Sequence, residues 1–163
     1  KYPQLALGCG TGLAGALLKD RAGYLAGIDL SPGMLEEARA RGDYDHLEEA
    51  DLDATLKTTD PGSWDLVISV DTLVYIGDLA ATFPGMARAL APGGCAIITV
   101  EAAKDGSSTG FTLTPSGRYA HTRHYLEEQA ASSGLTVVEI REDTIRRELA
   151  EDVRGYVATF ARR

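Results

Sequence analysis

Cysteine is scarce in this 163-residue chain, which has only Cys9 and Cys95. Neither stands in a spacing that would build a disulfide framework or a thiolate metal site. Histidine is equally sparse, and no His, Cys or Asp cluster has ligand spacing, so no metal centre is expected. Basic residues are in the minority, 16 against 24 acidic, for a net charge of -8. That balance is not one that neutralises nucleic-acid phosphates, although a local basic patch is compatible with the total, and nucleic acid is a disfavoured partner. No apolar run approaches the length that crosses a bilayer, and 44% hydrophobic with 25% charged residues is the composition of a soluble globular protein. Internal repeats, low-complexity tracts, linkers and a signal-like segment are missing too. The chain opens Lys1-Tyr2-Pro3 without an initiator Met and enters a strand almost at once. The expectations are a reducing cytoplasm, one domain over 1–163, and a natural protein that extends further at its N-terminus.

What is present is a regular alternation. Gln4 to Leu7 is a short apolar run stopped by glycine, and Leu13 to Leu18 follows with the small and apolar residues of a buried helix. Tyr24 to Ile28 is a second apolar run ending at Asp29, after which Ser31 can cap a helix whose first position is Pro32. His46 to Leu52 reads as a weak third strand and "WDLVISV" from Trp64 as a strong fourth, with a helix through Leu79 to Leu90 behind it. The "APGG" turn then leads into "CAIITVE", a continuous apolar strand of the parallel-sheet kind. A polar loop over Ala102 to Gly117, a helix capped by Thr122, and strands at Leu135 to Arg141 and Val153 to Ala161 complete the chain. The last two strands have too short a connection for a parallel crossover, so they are expected to pair antiparallel at the sheet edge.

The segment "LALGCGTGLAG" carries the chemistry. Gly8, Gly10, Gly12 and Gly15 fit G-x-G-x-G and G-x-G-x-x-G at once. In an open βα sheet this first loop lies at the ligand site, where glycines let the backbone approach a ligand and helix-terminal amides favour an anion. Asp29, at the end of the second strand, is placed to accept from both hydroxyls of a ribose. These features suit NAD and S-adenosylmethionine equally. A hydride-transfer enzyme normally adds a substrate domain, for which 163 residues leave little space, so the methyl donor is favoured. An NAD(P)-dependent oxidoreductase and a non-catalytic cofactor-binding or partner-docking domain are the alternatives.

"LGCGTG", "GIDLSPGMLEEAR", "ADLD", "WDLVISVDTLVYIGDL" and "LAPGGCAIITVE" resemble the successive motifs of class I S-adenosylmethionine-dependent methyltransferases. More narrowly, "VYIGDL" with "GFTLTPSGRYAHTRHYLEEQA" resembles the methyltransferase domain attached to tetratricopeptide repeats in predicted bacterial proteins. The resemblance implies a three-layer α/β, Rossmann-like fold with a seven-stranded, mostly parallel sheet in the order 3-2-1-4-5-7-6, strand 7 antiparallel. It implies that Gly8, Cys9, Gly10 and Gly12 bring backbone against the methionine part of S-adenosylmethionine, that Asp29 binds the ribose, and that Leu30 and Met34 sandwich the adenine. Asp51 would receive the exocyclic amine, the Leu52 amide would reach a ring nitrogen, and Val70 and Asp71 would face the sulfonium end. The family often places an acidic residue two positions before the first glycine, and this chain has Ala6 there, so the resemblance leaves the methionine amino group to another acceptor, a backbone carbonyl or Asp71.

For the acceptor, Tyr75, Tyr119 and His121 are the polar aromatics expected on the ligand side, with His121 as candidate base and Asp71 near the transferred methyl. Arg118 is a candidate partner for an acidic substrate, and His124 for a solvated helix face. "SVDT" does not resemble the Asn/Asp-Pro-Pro-Tyr loop of enzymes that methylate base amines in DNA. The acceptor expected is therefore a small molecule or a protein side chain, the product S-adenosylhomocysteine, and the protein a monomer or homodimer.

Overall fold

The apolar run of Tyr2–Leu7 (β1) stops at Gly8, and the chain turns into a helix over Leu13–Leu18 (α1). The structure, a computed structural model, describes residues 2–104 and 106–163. Ala22–Asp29 (β2) feeds Pro32–Arg41 (α2), a helix started by Pro32 at its first position and by the Ser31 hydroxyl accepting from the Met34 amide. The third strand is shorter than its sequence suggests. It ends at Glu49 (β3, His46–Glu49), because Asp51 caps Leu52–Thr58 (α3) and turns Leu52 into a helical residue. Trp64–Ser69 (β4) is followed by a 3-10 turn at Leu73–Tyr75 and by Thr82–Ala89 (α4), a later helix start than the apolar pattern indicates.

Leu90–Ala102 (β5) begins before "APGG". The register against β4 jumps from Trp64 opposite Leu90 to Leu66 opposite Cys95, so Ala91 to Gly94 bulge out of the strand as the turn those residues favour. The polar loop that follows holds a small hairpin, Phe111–Leu113 (β6) and Tyr119–His121 (β7), before Arg123–Ser132 (α5), which Thr122 caps. Leu135–Glu148 (β8) and Glu151–Arg162 (β9) run several residues longer than their apolar cores, so the expected connection between them is itself paired strand.

The seven long strands lie in the order β3-β2-β1-β4-β5-β9-β8, with β9 antiparallel to β5. Counted without the hairpin this is the 3-2-1-4-5-7-6 sheet implied by the sequence. β7 pairs with β5 at Glu101 and Ala102, on the edge that β4 leaves free beyond Ser69, because β9 already occupies the other edge of Glu101. Strand order reverses between β1 and β4, and right-handed crossovers then place α1 and α2 on one face and α3 and α4 on the other. The core between the layers holds Leu5, Leu56, Phe83, Ile98 and Phe160, each at most 2% exposed. Phe83 and Phe160 meet edge to face at 5.2 Å. What this frame positions is a set of βα loops at the C-terminal ends of β1, β2, β3 and β4.

Candidate active site

The loop after β1 is shaped by three glycines with positive φ, at +68° for Gly8, +54° for Gly10 and +85° for Gly12. At Gly8 a side chain is excluded twice over, since a Cβ would also lie 2.3 Å from the Thr72 side chain. At Gly10 a Cβ would meet nothing within 4 Å and would project into open space. From below, the ring of Tyr44 packs where Gly15 and Gly27 lack side chains. Burial pushes its hydroxyl up to about 12. Asp29 joins this loop to the next, one carboxylate oxygen accepting from the Gly10 amide and the other from the Ser31 amide, both at 2.9 Å. An ionised carboxylate offers about four acceptor positions, so two stay available. Asp51 uses one oxygen, at 2.9 Å, on the Ala54 amide.

These loops enclose a cleft of about 880 Å³, within the usual range for a small-molecule site. Gly8, Cys9, Gly10, Asp29, Asp51 and Leu52 line it. Leu30, Met34, Val70 and Tyr75 also line it, although they are 45% to 67% exposed, an apolar rim of the kind that marks a binding groove. Gly12 stands behind the lining as the left-handed residue before α1. Burial and the nearby Asp29 carboxylate push the Cys9 thiol up to about 11, which disfavours the reactive thiolate.

Asp71 lines the cleft from beyond β4 with φ +54°, a conformation rare for a residue with a side chain. Its amide donates to Thr99 Oγ1 at 2.9 Å, and its Oδ1 accepts from Arg146 Nη1 at 2.9 Å. Arg146 also pairs with Glu101 and Glu148, and Glu148 with Arg118. Sequence reasoning missed Arg146 because it falls in a charge-rich stretch that reads as a connection, whereas the structure makes it part of the β8–β9 arm. Arg118 is thereby shared between Glu148 and a side-chain hydrogen bond to Tyr75 at the cleft.

Tyr119 and His121 do not reach the cleft lining. Both lie in the hairpin that the sequence shows only as a loop. Tyr119 packs on Gly77, and His121 is fully buried with Nε2 2.9 Å from the Gly77 carbonyl. A carbonyl only accepts, so Nε2 carries the proton, and burial holds the imidazole below its ordinary pKa. His124 is exposed on α5 beside Glu128, as a solvated helix face requires.

Residues 5–98 match the family described as "Methyltransferase domain". The chain belongs to that family. Trans-aconitate 2-methyltransferase of Methylobacterium nodulans is 42% identical over 91 residues, covering 55% of this chain and 34% of that protein. The 18S rRNA (guanine-N(7))-methyltransferase of Bos taurus is 38% identical over 72 residues, covering 44% and 25%. An S-adenosylmethionine-dependent methyltransferase from Mesorhizobium loti superposes with a TM-score of 0.75 at 25% identity, over 99% of this chain and 91% of that one. The chain thus spans about a third or less of the two curated relatives' lengths. Membership decides between the two cofactors that the loop left open, in favour of S-adenosylmethionine. The methyltransferase cleft fits that group: bare backbone at Gly10 opens onto it, acceptor positions remain on Asp29 and Asp51, and Leu52 is the first residue of α3, where a helix leaves amides unbonded. Among the described residues no cluster of His, Cys, Asp and Glu is placed to hold a metal, and no helix is long and apolar enough to cross a membrane.

Proposed function

We propose that this chain is the donor-binding, catalytic domain of a methyltransferase that methylates a small molecule or a protein side chain. The observation that carries the reading is the convergence on one cleft of the Gly8 to Gly12 loop, Asp29, Leu30, Met34 and the Asp51–Leu52 pair. Asp29 receives the ribose hydroxyls and holds the loop in place through Gly10. Asp51 and the Leu52 amide read the edge of the adenine, with Leu30 and Met34 against its faces. Cys9, Gly8 and Val70 contact the methionine end through backbone and small apolar surface. S-adenosylmethionine supplies a carbon activated by positive sulfur, so the protein's task is to hold an acceptor in line at about 3 to 3.5 Å reacting distance. Tyr75, on the cleft rim, is the residue we assign to the acceptor wall.

His121 is not assigned as base, since its one proton is bonded to Gly77 and the ring is sealed from the cleft. An acceptor that ionises or reacts without enzymic help, such as a thiol, carboxylate or neutral amine, suits this wall best. The finer placement, beside tetratricopeptide-associated methyltransferases, is supported by the "VYIGDL" and "GFTLTPSGRYAHTRHYLEEQA" segments. Scanning fluorimetry should show a raised Tm with S-adenosylmethionine and S-adenosylhomocysteine and none with NAD or NADP. In calorimetry Asp29→Ala should weaken S-adenosylhomocysteine by at least about tenfold, the scale of one lost charge-assisted contact. No affinity for S-adenosylhomocysteine in the wild type would remove the proposal.

A further inference from the structure

The donor's α-ammonium meets no carboxylate at Ala6, two residues before the first glycine, where the side chain is apolar and 3% exposed. A buried ammonium needs an acceptor. Of the three aspartates that line the cleft, Asp71 is the one not placed at the ribose or the adenine. Thr72 touches Gly8 so closely that no Cβ fits between them, and its hydroxyl bonds the Gly8 carbonyl at 3.2 Å. Asp71 therefore stands one residue from the point where the glycine loop meets β4, at the end of the cleft opposite the Asp51 adenine edge.

Its geometry is over-determined. The left-handed backbone at φ +54° is held by Thr99 Oγ1 on the amide, by the Thr72 hydroxyl on the Val70 carbonyl at 3.1 Å, and by Arg146 on Oδ1. Strain kept in place by several independent contacts belongs to sites where a side chain must point one way. No hydrogen bond among the described residues takes Oδ2, and the Asp71 side chain, which lines the cleft, is 52% exposed. Arg146 reaches it from the β8–β9 arm, 75 residues away, and is itself fixed by Glu101 and Glu148. Among the described residues no Lys or Arg lines the cleft.

Resting on the donor-binding reading above, we infer that Asp71, oriented by Arg146 from the β8–β9 arm, anchors the α-ammonium of the donor and replaces the acid missing at Ala6. Asp71 is the binding residue and Arg146 the positioning residue. The test compares S-adenosylhomocysteine with 5′-methylthioadenosine, which keeps the nucleoside and sulfur but has no amino-acid tail. Asp71→Asn removes the charge while keeping an acceptor for Arg146 and a residue type that tolerates positive φ.

By calorimetry the wild type should prefer S-adenosylhomocysteine, and Asp71→Asn should weaken it by about fivefold to thirtyfold, less than a fully buried charged contact would give. Methylthioadenosine should stay within about twofold, well under one contact's worth of affinity, which also certifies that the variant folds. Equal losses for both ligands, no loss for either, or a wild type that does not distinguish them would overturn the anchor while leaving donor binding intact. A wild type that binds neither ligand would overturn both the anchor and the reading beneath it.

Discussion

At the residue scale, two glycines of one loop have different reasons for lacking a side chain, and the difference is measurable. Gly8→Ala must place a Cβ at φ +68° against Thr72 at 2.3 Å, so the backbone and the Val70 to Thr72 segment have to move. The expected stability loss is on the order of 2 to 4 kcal/mol, strain and overpacking together. Gly10→Ala carries the positive φ of +54° but meets nothing within 4 Å. Its folding cost should be about 1 kcal/mol, the ordinary penalty of a left-handed residue. Its new methyl occupies the space reserved for the donor, and affinity for S-adenosylhomocysteine should fall by more than about tenfold, or 1.4 kcal/mol. Denaturant unfolding should therefore rank Gly8→Ala as the costlier variant, and an affinity for S-adenosylhomocysteine unchanged in Gly10→Ala would refute the assignment of Gly10 to the cleft wall. The glycine pattern was legible because only glycine fits such positions. Thr72, which makes Gly8 obligatory, was not, since it lies 64 residues away and only the β1–β4 pairing brings it near.

At the element scale, the long strands and α2 were readable from apolar runs and a cap. The β6–β7 hairpin was not, because strands of three residues are too short to show alternation. That hairpin changes the reading of His121 from a ligand-side base to a latch. The imidazole bonds Gly77, and Phe111 and Tyr125 pack beside it, with Tyr125 bonded to Asp78 at 3.1 Å and to the Leu79 amide at 2.8 Å. It thereby holds the segment that carries Tyr75 and Ile76 into the cleft. A latch of this kind has a pH signature whose sign follows from burial. The folded pKa lies below the unfolded one, so the stabilisation of neutral His121 is fully present above the unfolded value of about 6.5 and is lost as pH falls through the folded value. Between pH 7.5 and 5.5 the wild type should lose up to about 1.4 kcal/mol more than His121→Gln, whose amide donates to Gly77 without titrating. Urea unfolding at the two pH values measures the difference, and parallel losses would show that His121 is not held neutral.

At the scale of the whole molecule, the βα rhythm implied an open sheet with an antiparallel pair at its edge, and the strand order came from the resemblance. Side-chain partners across the sheet did not follow. Arg146, Glu101 and Asp71 come from three separate strand ends and meet only once β9 has closed beside β5. Charge, by contrast, was legible at once and bears on the acceptor. The two curated relatives act, by their names, on trans-aconitate and on 18S rRNA. A site for RNA neutralises several phosphates with lysines and arginines, and each such contact steepens the salt dependence of binding. This chain has a net charge of -8, and its cleft is lined by Asp29, Asp51 and Asp71 and, among the described residues, by no Lys or Arg. Arg118 and Arg146, which bond the cleft residues Tyr75 and Asp71, face three carboxylates between them, so this group of five carries a net negative charge. Association with an RNA backbone would have to overcome that field. In filter binding at about 50 mM salt, where phosphate contacts are strongest, this chain should retain no structured RNA. Retention that falls steeply as salt is raised would place the acceptor among nucleic acids and contradict the small-molecule or protein assignment.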